Sequence, residues 1–143
     1  MREVILGRLW IGNALDVDDT RKVVSAGIEA IVDLALQETP PVMMRESVYL
    51  RFPLNDGGGN SPEVIRTAIE TVSSLLLREI PTLVFCSAGM SRSPAVAAFA
   101  LGVSTDRHPR DCIAEILQDG PRDVSPVLWQ SLEDVYDQML LDR

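Results

Sequence analysis

Cys86-Ser87-Ala88-Gly89-Met90-Ser91-Arg92-Ser93 follows the apolar run Thr82-Leu83-Val84-Phe85 and precedes Pro94-Ala95-Val96-Ala97-Ala98-Phe99-Ala100. The order reads as strand, tight loop, helix. A thiol stands where the loop begins and a guanidinium where it ends. Such a loop can curl around a tetrahedral dianion. Its N–H groups point inward, the helix N-terminus adds partial positive charge, and Arg92 can grip two oxygens at once. The thiol then lies beneath the central atom of the anion, placed for in-line attack.

Working outward, Val4 to Gly12 is apolar with polar interruptions, and Gly7-Arg8 can turn a short hairpin between strands near 3–6 and 8–11. Asn13 or Asp16 can cap a helix over 17–26, with Gly27 as its stop. Ala30-Ile31-Val32-Asp33-Leu34 reads as a buried strand. Residues 36–47, broken by Pro40-Pro41, read as a loop or short helix. Val48 to Phe52 alternates as a strand does. Pro53 to Asn60, with Gly57, Gly58 and Gly59, is a mobile loop. Ser61-Pro62 opens a helix whose apolar positions recur through about residue 78. Further helices are expected over 92–103, 109–119 and 126–141, with Gly120-Pro121 dividing the last two.

Strands separated by helices imply a single α/β domain over 1–143 with a mainly parallel central sheet. Ligands of such sheets sit beyond the carboxyl ends of the strands. Cys86 ends one strand and Asp56 lies in the loop after another, so one pocket can receive both.

Composition narrows the partners. The chain has 143 residues, 46% of them hydrophobic, and a formal net charge of -8. An acidic surface repels nucleic acid and anionic membrane, so neither is an expected partner. The two cysteines are too few for a disulfide framework, and no signal peptide or membrane span is evident. A monomer in the reducing cytoplasm is the expected setting.

Each candidate residue has a chemical reason. Cys86 as thiolate would be the nucleophile, forming a phosphocysteine. Arg92 would bind the equatorial oxygens of the transition state. Gly89 permits close backbone approach, while Ser87, Ala88, Met90 and Ser91 contribute mainly N–H groups. Ser93 can donate a hydrogen bond to the sulfur and ease its departure. Asp56 would protonate the leaving oxygen and then activate water. Asp33 reads as a buried strand residue, and Asp119 and Asp123 flank a turn. His108 and Cys112 read as structural. No cysteine–histidine metal cluster is present, and no cofactor is expected.

Cys86 to Ser93 resembles the Cys-x5-Arg-Ser/Thr signature of the protein tyrosine phosphatases, and its wording resembles the dual-specificity branch. Leu9-Trp10-Ile11-Gly12-Asn13-Ala14 resembles that branch's N-terminal strand motif. Asn55-Asp56 with Asn60-Ser61 resembles its general-acid loop and following helix. The resemblance implies a sheet of about five strands flanked by helices. It also implies metal-independent, two-step phosphomonoester hydrolysis with Cys86, Arg92 and Asp56 in the roles just given. Two positions depart from the pattern. Phe85 stands where the family has histidine, which implies a less favoured thiolate. Arg122 and Pro126 keep the spacing of Arg-x-x-x-Pro-Asn, but Val127 replaces the asparagine that braces the loop.

A shallow pocket in so short a chain is expected to admit phosphotyrosine, phosphoserine and phosphothreonine of a phosphoprotein. The alternatives are a phosphatase of a small-molecule phosphate ester and a catalytically weak phosphate-binding module.

Overall fold

The computed structural model describes residues 1–118, 120 and 123–143. Asp119, Pro121 and Arg122, which entered the sequence reading as turn and brace positions, lie outside the described residues. Five strands form one sheet: β1 (Arg2–Ile5), β2 (Leu9–Asn13), β3 (Ala30–Ala35), β4 (Val48–Leu54) and β5 (Thr82–Cys86). Their spatial order is β1-β2-β5-β3-β4. Only β1 runs antiparallel, through the Gly7 hairpin, and the other pairings are parallel. The single α/β sheet expected from the sequence is therefore the one found.

Strand periodicity divides two cores. Val4, Leu9, Ile11, Val32, Leu34, Val84 and Cys86 face the larger one. Trp10, Ile31, Leu83 and Phe85 face the smaller. Alternate side chains point to opposite faces, so neighbours Phe85 and Cys86 serve different cores. The larger core is covered by α3 (Pro62–Leu77), α4 (Arg92–Thr105), α5 (Pro109–Leu117) and α6 (Pro126–Leu141). From Arg92 to Gly102 every residue of α4 is buried. Its alanines let neighbouring elements close around it, which suits a helix enclosed on all sides.

The smaller core is covered by α1 (Ala14–Asp18) and α2 (Thr20–Ser25). One helix over 17–26 was expected here. Asn13 starts helix earlier, through a reciprocal capping box with Asp16. Asp19 then breaks it at φ -89°, ψ 84°, while its side chain accepts from the Lys22 N–H to start the second helix. Residues 36–47 form a loop with no helix.

β4 continues two residues past Phe52, through Pro53. It is an edge strand, where proline costs no ladder bond on its open side. The register slips between Asp33↔Arg51 and Ala35↔Leu54, so one extra residue is accommodated on β4. Such a bulge redirects the chain, and it does so immediately before Asn55-Asp56. α4 runs two residues beyond the expected 103 and ends at Asp106, which adopts φ 55°. α5 stops at Leu117, two residues short of the expected 119, where Gln118 turns to φ 50°.

Candidate active site

β5 lies between β2 and β3 and is buried along its whole length. It delivers Cys86 to the carboxyl edge of the sheet, where Asn13 is its register partner on β2. Residues 87–91 then turn back into α4. The turn needs Gly89, which adopts φ +73°. A Cβ there would stand 2.7 Å from the Gly12 carbonyl oxygen. The anion loop is thus pressed against the end of β2, and the Ala14 N–H reaches the Ser87 carbonyl at 3.4 Å.

The Cys86 Sγ is enclosed by the loop it begins. The Gly89 N–H donates to it at 3.2 Å, and the Ser93 Oγ lies at 3.2 Å. Ser93 is fully buried in the first turn of α4. Phe85 is 1% exposed within the smaller core, on the other face of the sheet, so its ring is not a partner of the sulfur.

Arg92 is folded inward and only 6% exposed. Its Nη1 donates to the Leu54 carbonyl at 2.8 Å and to Gln37 Oε1 at 2.9 Å. Leu54 is the last residue of β4, so the guanidinium is tied to the root of the loop that carries Asp56.

Asp56 meets the anion loop directly. The Ser91 hydroxyl donates to Asp56 Oδ1 at 2.5 Å and accepts from the Ser125 N–H at 2.9 Å. Ser91 is the N-cap residue of α4, yet its side chain makes no capping bond, being turned to these two partners. The sequence reading gave Ser91 mainly an N–H role, but its hydroxyl joins three segments. The acid loop is further held by Asn60, whose Oδ1 accepts from the Asn55 N–H at 2.7 Å while Nδ2 donates to Asn55 and Gly57 carbonyls. The loop expected to be mobile is therefore internally bonded at its base.

The missing downstream asparagine has a counterpart. Val127 is 57% exposed and makes no brace. The Ser125 main-chain amide reaches the anion loop instead, through Ser91. The Ser125 hydroxyl caps α6 by accepting from the Leu128 N–H at 3.2 Å.

The structure thus brings Cys86, Ser87, Ala88, Gly89, Met90, Ser91, Arg92, Ser93 and Asp56 to one edge of the sheet. Three contributors escaped the sequence reading: Gln37, the Leu54 carbonyl and the Ser125 amide. None carries a local motif. The other candidates stand apart. His108 caps α5 by accepting from the Arg110 N–H, and its ring packs edge-on to Tyr136. Cys112 is fully buried in the larger core, and burial pushes its thiol up despite the nearby Arg107. Among the described residues no helix is long and apolar enough to cross a membrane.

No family model and no curated protein matches the chain in sequence. Solved structures do match in shape. Human DUSP28 aligns over 100% of both chains with a TM-score of 0.85 at 18% identity. The chain has the fold of the dual-specificity phosphatases. Human tyrosine phosphatase-like serine/threonine/tyrosine-interacting protein shares that fold, with a TM-score of 0.81 at 21% identity over 99% of this chain and 97% of its own. PTPMT1, solved in complex with PI(5)P, does so at 0.78 and 13% identity, over 99% of this chain and 97% of its own.

Proposed function

We propose that the chain hydrolyses phosphomonoesters without a metal, through a phosphocysteine intermediate. Its substrates are the phosphotyrosine, phosphoserine and phosphothreonine side chains of proteins. The single observation that carries this reading is the sulfur's setting: Cys86 Sγ at the base of an anion-sized loop, 3.2 Å from both the Gly89 N–H nitrogen and the Ser93 hydroxyl. The inward guanidinium of Arg92 closes the same loop.

The steps follow from these positions. The Cys86 thiolate attacks phosphorus while the P–O ester bond breaks. Asp56 gives its proton to the departing oxygen. The Arg92 guanidinium and the amides of residues 87–91 hold the three equatorial oxygens, over which the charge of the loose transition state is spread. Water then gives a proton to the Asp56 carboxylate and attacks phosphorus, the P–S bond breaks, and the Ser93 hydroxyl donates to the leaving sulfur. Inorganic phosphate departs. A reducing, cytoplasmic setting suits this chemistry, because oxidation of Cys86 would remove the nucleophile.

The test is a burst experiment on an aryl phosphate with chelator present. The expected result is a stoichiometric burst of product and vanadate inhibition, with turnover abolished in Cys86→Ser. Chelator-sensitive activity, or full activity in Cys86→Ser, overturns the mechanism. Phosphate affinity with no burst makes the chain a binding module. A panel of phosphopeptides, inositol-lipid phosphates and soluble phosphate esters then decides substrate class. Turnover of the last two that exceeds every phosphopeptide refutes the protein-substrate assignment.

A further inference from the structure

We infer that Gln37 is a positioning residue, setting which edge of the Arg92 guanidinium faces the phosphoryl group; this rests on the phosphatase reading above. An arginine side chain offers five N–H donors and no acceptor. Arg92 is buried, so its donors must find partners. The two hydrogens of Nη1 are matched by two acceptors, the Leu54 carbonyl at 2.8 Å and Gln37 Oε1 at 2.9 Å. Among the described residues, Nε and Nη2 have no hydrogen-bond partner. Those two nitrogens form the edge that matches two oxygens of a phosphoryl group side by side. With the Leu54 contact alone, the plane could still pivot about one bond. Gln37 supplies the second point that fixes it.

Amide chemistry suits the task. A neutral oxygen holds the guanidinium without cancelling its charge, which remains available to the dianion. Gln37 lies in the 36–47 loop, for which the sequence suggested no role, yet the strand leading to it is pinned. Asp33 is 1% exposed and its Oδ1 accepts from the Ala35 N–H at 2.9 Å. The Tyr49 hydroxyl donates to the other oxygen, and Arg51 Nη2 donates to the Ala35 carbonyl at 3.3 Å. This cluster fixes the end of β3 two residues before Gln37. It gives the buried Asp33, which the proposed chemistry does not use, a part in setting the site.

The experiment titrates orthovanadate calorimetrically into wild type, Gln37→Leu, Arg92→Lys and the double variant. It also measures kcat/KM on an aryl and an alkyl phosphate. A lost bond to a charged donor predicts about 10-fold weaker vanadate binding in Gln37→Leu. A similar loss of kcat/KM is expected on both esters, because the leaving group is not involved. In the Arg92→Lys background, Gln37→Leu should add less than about 2-fold, since an ammonium has no planar edge for Gln37 to orient. Gln37→Ala must give the same pattern, with the melting transition of each variant recorded. Unchanged vanadate affinity in Gln37→Leu overturns the inference, as does a full effect in the Arg92→Lys background. A wild type that binds vanadate but does not turn over defeats the phosphatase reading alone, and the affinities still decide the role of Gln37. A wild type that binds no oxyanion defeats both.

Discussion

Asp56 is an exposed residue on a glycine-rich loop, yet its carboxylate is tethered, because the Ser91 hydroxyl donates to Oδ1 at 2.5 Å. A bond to the anion loop keeps the acid within reach of whatever that loop holds. Replacing it by asparagine keeps the shape and removes the transferable proton. The cost should then track the leaving group. Asp56→Asn is expected to lose about 10²–10⁴ in kcat/KM on an alkyl phosphate, the usual range for general acid catalysis. It should lose far less on a nitrophenyl ester, which departs without a proton. Values of kcat/KM over a series of leaving groups measure this, because they report the step in which the ester bond breaks, and equal losses across the series would remove Asp56 from the acid role. The acid, thiol and guanidinium were legible because each has a local pattern: Asn55-Asp56 before glycines, and Cys86 and Arg92 bracketing one loop. Gln37 and Ser125 were not. Gln37 meets Arg92 across 55 positions of chain, and Ser125 meets Ser91 across 34. Ser125 acts through its main-chain N–H, which any residue but proline possesses.

The strand–loop–helix element owes its shape to one close approach. Gly89 combines φ +73° with a missing side chain beside the Gly12 carbonyl. Alanine there would strain the left-handed backbone and press Cβ to 2.7 Å from a main-chain oxygen that β2 cannot easily move. The loop must then lift from β2 and carry its Gly89 N–H away from the sulfur. Gly89→Ala is expected to lower vanadate affinity by about 10-fold or more and to cost about 1–3 kcal/mol in stability. Calorimetry and urea unfolding read these two effects; an unchanged affinity would detach the loop's curvature from anion binding. Other elements were readable to the extent that their ends carry chemistry. Pro62 marked the start of α3, and Gly7 marked the hairpin. The break at Asp19 and the passage of β4 through Pro53 were obscured. The first depends on Asp19 leaving helical geometry while its side chain accepts from the Lys22 N–H, and the second on β4 being the sheet's edge.

At the scale of the whole molecule, the sheet is sealed by two unequal cores, and polar groups inside it must be paired. The Asp33–Tyr49 bond is the main such pair between β3 and β4, with Arg51 Nε 3.7 Å from the carboxylate. Burial pushes the Tyr49 hydroxyl up, and its bond to Asp33 and the negative charge there push it further, with Arg51 opposing. An acid held up in the folded state binds its proton when the unfolded chain has lost it. The stability it contributes is complete below the unfolded value of about 10 and declines as pH rises toward the folded one. Wild type should therefore lose stability progressively above about pH 10, by a slope that Tyr49→Phe lacks. At neutral pH the phenylalanine variant should be less stable by about 1–3 kcal/mol, because Asp33 stays buried with one donor fewer. The two lines should converge as the medium becomes alkaline. Urea unfolding of both proteins from pH 7 to 11 measures the gap. A gap that stays constant across that range would mean that Tyr49 titrates alike in the folded and unfolded chains, and that the pair does not hold β3 to β4 in the way its geometry implies.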